Sequence, residues 1–156
     1  MQSIHEFLED RYERLNGGEA TKEEIRDMVN TLLEMAKSDE REFRNQYIRL
    51  ILHMLKYVYQ PVKQSGFWID SIRDSHRHLV EMVDDKSLMR VVLQDLSKCY
   101  FKARRFAAGE TRLPLSTFPV ECPSEWTIEN ITDYDFLDDF LVKNAYSEEA
   151  KKYLGL

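Results

Sequence analysis

Residues Ile51 to Arg73 read ILHMLKYVYQPVKQSGFWIDSIR, and this stretch decides the fold. Ile51, Met54 and Val58 continue an apolar face that begins at Phe43, Tyr47 and Leu50, all at helical spacing. The helix must stop at Gln60, because a residue followed by proline is pushed out of the helical region, and Pro61 follows. Lys63-Gln64-Ser65-Gly66 reads as a polar loop. A further helix starts near Trp68 and runs to Val83, with Ile69, Ile72, His76, Leu79, Val80 and Val83 inward. Helices joined by so short a turn run antiparallel, which is the unit of an up-down bundle.

The same logic extends in both directions. Ser3 and Glu6 form a capping box ahead of Ile4, Phe7, Leu8, Tyr12 and Leu15, and Asn16-Gly17-Gly18 ends that helix. Thr21 and Glu24 repeat the box, with Ile25, Met28, Val29, Leu32 and Ala36 lining one face behind them. Ser38-Asp39 with Glu42 is a third cap signal; a break there and one continuous helix both fit the pattern. Asp84 to Ser87 makes a turn, and a fifth helix is expected from Leu88 to Ala108, burying Leu88, Val92, Leu96, Cys99, Ala103 and Phe106, with Gly109 past its end. Pro114, Pro119 and Pro123 forbid regular structure between Leu113 and Trp126, yet Leu113, Leu115, Phe118 and Val120 are too apolar for a solvated linker. A helical turn near Glu125–Ile131, a helix from Phe136 to Asn144 and a last piece capped by Ser147 follow. The expected architecture is all-α: an up-down bundle of about five helices over 1–136, containing a Pro-rich arm at 110–126, and a C-terminal helical extension at 137–156. Phe136, Leu137, Phe140, Leu141 and Tyr146 carry enough apolar surface to dock that extension on its own bundle or on that of a second copy. Asp138 and Asp139 are expected near the start of its helix, where the dipole favours carboxylates.

Composition narrows the function classes. With 156 residues, 43% hydrophobic and 32% charged, the chain is long enough for one self-sufficient core. A net charge of −6 argues against a sequence-independent nucleic-acid binder, which needs clustered cations to displace phosphate counterions. Cys99 and Cys122 are too few for a disulfide framework and lack metal-ligand spacing. Met1 to Glu6 lacks the basic start and apolar run of a signal peptide, and Arg49, His53 and Lys56 interrupt the most apolar run, so a cytoplasmic protein without a membrane span is expected.

The helix ending His53, Leu55, Lys56, Tyr57, Tyr59, Gln60, Pro61, followed by Ser65, Trp68, Ile72 and Arg73, resembles the core pattern of a bacterial family catalogued as domain of unknown function 29. A second ordered block agrees: Ala103-Arg104-Arg105, Glu110-Thr111, Leu113-Pro114, Thr117-Phe118-Pro119 and Glu121-Cys122-Pro123. The resemblance covers roughly residues 5 to 136 and implies no biochemical activity.

Candidate sites come from the residues themselves. Arg49, His53, Lys56, Tyr57 and Gln60, at spacings of 4, 7, 8 and 11, form a polar face on one helix, with Trp68 and Arg73 nearby. That face is either a binding site or a set of groups satisfying a buried helix end, Trp68 covering the end near Tyr57 and Tyr59. Arg73 and His78 have the Arg-x4-His spacing of the catalytic pair in HEPN-type ribonucleases, also all-α, where histidine shuttles the proton. So short a motif arises by chance among 12 arginines and 4 histidines, and Asp74–His78 and Arg77–Glu81 pairs explain the same residues as surface charge. Lys98, Lys102 and Arg105 make a basic stripe, solvated or paired with Asp133, Asp135, Asp138 and Asp139. His76 and His78 diverge on a helix, and no Glu-x-x-His, Cys-x-x-Cys, phosphate loop or nucleophile elbow occurs. No metal or cofactor is therefore expected. The reading is a non-enzymatic regulatory or interaction module whose partner is another protein, self-association being open; the alternatives are a HEPN-like metal-independent ribonuclease using Arg73 and His78, and a nucleic-acid-binding helical bundle.

Overall fold

The computed structural model describes residues 2–156; Met1, where the expected bundle domain begins, lies outside them. Among the described residues the chain is all-α, without a strand. It divides into two compact units, a smaller one ending at Asp39 and a larger one, Glu40–Leu156.

In the smaller unit, α1 (Ile4–Asn16) starts where Ser3 Oγ accepts from the Glu6 amide at 3.1 Å. Gly18, at φ 75°, makes the turn that only glycine adopts without strain. The next helix, α2 (Lys22–Tyr59), opens with Thr21 Oγ1 accepting from the Glu24 amide at 3.1 Å. Arg14 grips the Glu24 carboxylate with two bonds, 2.5 and 2.8 Å, tying α1 to the start of α2. The face of α2 expected to point inward here does not: Ile25, Val29 and Leu32 stay exposed, and α1 buries no residue at all. Two helices alone cover only a narrow stripe of each other, and the half-buried Met28 occupies it.

The helices read as second and third are one. α2 runs through Ser38-Asp39 without interruption, because neither glycine nor proline breaks the backbone ladder there and a cap side chain alone does not. From Phe43 onward it is the central helix of the larger unit: Leu50 through Tyr57 are all buried, so it is covered on every side.

α3 (Gly66–Met82) is capped by Ser65 Oγ and buries Ile69, Ile72, His76 and Leu79. The expected fifth helix is in fact two. α4 (Lys86–Val92), capped by Asp85, gives way to a 3-10 turn at Leu93–Asp95, and α5 (Leu96–Thr111) follows. Arg44 on α2 holds Asp95 at that break, at 2.8 Å. α5 buries Cys99, Tyr100, Ala103 and Ala107 but turns Phe106 outward. It also runs past Gly109: Arg112 takes the left-handed conformation at φ 58° that ends it.

The Pro-rich arm lies along the bundle. Phe118 is fully buried edge-on against Tyr59 at 5.8 Å, and the Tyr100 hydroxyl donates to the Pro119 carbonyl at 2.6 Å. Trp126 meets Phe140 edge-on at 5.7 Å. α6 (Ile128–Ile131) leads to α7 (Tyr134–Lys143), whose cap is Asp133, so Asp138 and Asp139 fall mid-helix, not near its start. α8 (Glu148–Tyr153) is capped by Ser147.

One buried side chain holds the C-terminal helices to the centre. Gln64 Nε2 donates to the carbonyls of Tyr57 (2.7 Å) and Asn144 (2.8 Å), and its Oε1 accepts from the amides of Tyr146 (2.9 Å) and Ser147 (3.1 Å). Both amide hydrogens and both lone-pair directions are used. Beside it, a Cβ on Gly66 would stand 2.7 Å from the Tyr153 ring, so only glycine admits α8 this close. Gln64→Leu keeps the bulk but strands two carbonyls and two amides. At about 1–3 kcal/mol for each buried group left unpaired, and allowing for relaxation, it is expected to cost about 3–5 kcal/mol in urea unfolding. A loss under about 1 kcal/mol would show the hub to be dispensable.

Candidate functional site

The polar face of α2 separates in the structure. Tyr57 leaves it: the ring is buried against Phe140 at 5.8 Å, and the hydroxyl donates to the Leu141 carbonyl at 2.7 Å. Burial pushes that hydroxyl's pKa up to about 12, so it stays a donor. His53 and Lys56 form a compact cluster with residues of α3 and α5. The Lys56 ammonium, 8% exposed, stands 4.7 Å over the Trp68 ring and 3.5 Å from the Glu110 carboxylate. A cation over an indole with a carboxylate beside it is a satisfied buried charge. His53 Nδ1 lies 2.9 Å from the Arg49 carbonyl, and Gln60 closes the helix end through its backbone.

Arg49 and Arg73 belong elsewhere. They line an open cleft of about 690 Å³ between α3 and α7, with Asp74, His76, Tyr134 and Leu137. Asp74 is its electrostatic centre: Arg49 binds one carboxylate oxygen at 2.7 Å and Arg77 the other at 2.6 Å. The Arg49 guanidinium holds the Asp74 carboxyl below the usual carboxylate range. Arg77 thus pairs with Asp74 and not with Glu81.

Arg73 and His78 take different positions about α3, although the His78 ring comes within 3.9 Å of the Asp74 carboxylate, the pairing expected of Asp74 and His78. Five residues along a helix separate them by about 140° around its axis. Arg73 faces the cleft, while His78 does not line it and keeps its Nδ1 2.8 Å from the Asp74 carbonyl. The histidine that shares the cleft is His76, 1% exposed, edge-on to Tyr134 at 4.7 Å, its Nε2 unpaired among the described residues. Its spacing marks it for the core; the unpaired nitrogen depends on α7, sixty residues away in sequence, and leaves no local trace.

The basic stripe faces outward from α5. None of Lys98, Lys102 and Arg105 pairs with Asp133, Asp135, Asp138 or Asp139. Among the described residues no three His, Cys, Asp or Glu side chains converge as a metal site would require. No described helix is long and apolar enough to cross a membrane.

The motif residues at the end of α2, the Ser65 cap and the arm from Leu113 to Pro123 all lie in the larger unit. A model of the family described as Domain of unknown function DUF29 matches residues 1–137. The chain belongs to this family. No curated protein and no solved structure matches it. The DUF29 match ends inside α7, so Phe140, Leu141 and Asn144, which seat that helix, lie beyond it.

Burial lowers the pKa of both His53 and His76 below the ordinary histidine value. In the unfolded chain each takes up a proton near pH 6.5, while the folded protein resists it. Their contribution to stability is thus present above about pH 6.5 and is lost as pH falls toward their depressed values. The melting temperature is expected to drop between pH 7.5 and 5, with a shallower drop in His53→Gln/His76→Gln. Equal slopes in the two proteins would assign the acid sensitivity to other groups.

Proposed function

We propose that this protein is a non-enzymatic interaction module that binds another protein through the open face of its N-terminal helical hairpin. The observation that carries the reading is an apolar face with nothing on it. Ile25, Val29, Leu32 and Leu33, at spacings of 4, 7 and 8, lie on one side of α2 and are 36–53% exposed. Scattered exposed apolar residues are ordinary, but a contiguous helical stripe of them is the anchor pattern of helix-to-helix recognition. Each of these side chains gains about half of the 1.5–3 kcal/mol of full burial when a partner helix covers it. The cleft beside Asp74 adds support, since Arg49 and Arg77 are both engaged by that carboxylate. Cys99 and Cys122 are both free thiols, in keeping with work in the reducing cytoplasm.

The test is a photo-crosslinking residue placed at Leu33 in living cells. A discrete covalent adduct to a second protein is expected, and none from the same residue placed at Glu23. Val29→Glu/Leu33→Glu should shift stability by less than about 1 kcal/mol, as surface substitutions do, and abolish binding of the crosslinked partner. No adduct, or a stability loss of several kcal/mol, would show that this face serves the fold instead.

A further inference from the structure

α5 presents a second surface, in the larger unit and independent of the hairpin. Its buried face is Cys99, Tyr100, Ala103 and Ala107. Lys98, Phe101, Lys102 and Arg105, at spacings of 3, 4 and 7, occupy the opposite side, and Phe106 flanks the buried face. Phe101 is 49% and Phe106 53% exposed, a large apolar area for a helix with a buried face already in place. The 3-10 turn at Leu115–Thr117 packs alongside α5 and sets Leu115 as a wall facing the helix. Between them runs a groove of about 460 Å³ lined by Lys98, Phe101, Lys102, Arg104, Arg105 and Leu115. The lining holds four cations and no carboxylate.

Those cations are not neutralised internally. Lys98, Lys102 and Arg105 make no ion pair with a described residue. Arg104 donates through Nε to the Phe118 carbonyl at 3.1 Å, which fixes its guanidinium at the rim without cancelling its charge. Asp95, the acid nearest the start of α5, is engaged by Arg44. In a chain of net charge −6, four uncompensated cations around two apolar side chains form a local field of opposite sign to the whole.

We propose that this groove docks an acidic, amphipathic segment of another protein, its carboxylates on Lys98, Lys102, Arg104 and Arg105 and one large apolar side chain between Phe101 and Leu115. Complementarity of charge and of apolarity both point to that chemistry. A nucleic-acid strand fits less well. From Lys98 to Arg105 the basic stretch is only about 10 Å along the helix axis, and beyond it a polyanion meets a surface more acidic than the chain's own total.

The test is fluorescence anisotropy of the full chain with a short labelled peptide of repeating Glu-Glu-Leu, at low salt. Binding is expected, weakening as salt is raised. Lys102→Glu/Arg105→Glu should weaken it at least about tenfold, as reversing a charge pair does. Phe101→Ala should weaken the Glu-Glu-Leu peptide and leave a Glu-Glu-Gln peptide, which lacks the apolar anchor, unaffected. All these side chains are outside the core, and unchanged melting temperatures confirm that each variant is folded. Val29→Glu/Leu33→Glu must bind the peptide as the unaltered protein does, so the hairpin reading and this one fail separately. Absence of peptide binding, an unchanged affinity in the double charge reversal, tighter binding of oligothymidylate than of peptide, or a dimer of this chain that the peptide disperses would each overturn the proposal.

Discussion

The larger unit depends on the four hydrogen bonds of Gln64. They join the last turn of α2, the loop into α3 and the backbone between α7 and α8 at one buried point. The Ser147 hydroxyl adds a fifth link to the Gln64 carbonyl at 3.1 Å, so the cap of α8 is built on the same residue. A buried amide satisfied on all sides fixes geometry more sharply than apolar contact, since a small slip breaks several bonds at once. Tyr57 donating to Leu141, Glu149 receiving the Gly66 amide and Tyr153 donating to Asp70 are placed by this arrangement. Residues beyond the family match are thus tied to residues within it, and the C-terminal helices are part of the bundle.

What was legible in the sequence was mostly local. The stop at Gln60-Pro61 and the caps at Ser3, Thr21 and Ser147 each depend on a few adjacent residues. Signals that compete locally were less decisive: Ser38-Asp39 offers a cap, but a cap favours a helix start without forbidding continuation. Phe106 was misread as inward for a different reason. Cys99 and Ala103, counted on the same periodicity, are buried, but Phe106 lies at the edge of that face and no neighbouring element covers it. Gln64 looked like an ordinary loop residue, because its four partners are spread from Tyr57 to Ser147 and no short window contains them. Of the candidate site residues, the stripe on α2 was visible as a pattern, but its division into a Lys56–Trp68 cluster, a buried Tyr57 and a cleft-facing Arg49 follows from which helices surround α2.

The contrast between the units is one of internal partners. In the larger unit most of the awkward groups are answered, His76 Nε2 apart: the Lys56 charge by an indole and a carboxylate, Arg44 by Asp95, the Tyr100 hydroxyl by Pro119. The hairpin relies on the Arg14–Glu24 fork, its caps and a narrow apolar contact. A fork at a surface adds little, and helices with few buried contacts open locally at small free-energy cost. Low local stability of this kind is what a segment that adjusts to a partner requires. In the proposed reading the hairpin adjusts to what it binds, while the α5 groove, on a helix whose inner face is packed, would offer a surface where affinity is not spent on ordering.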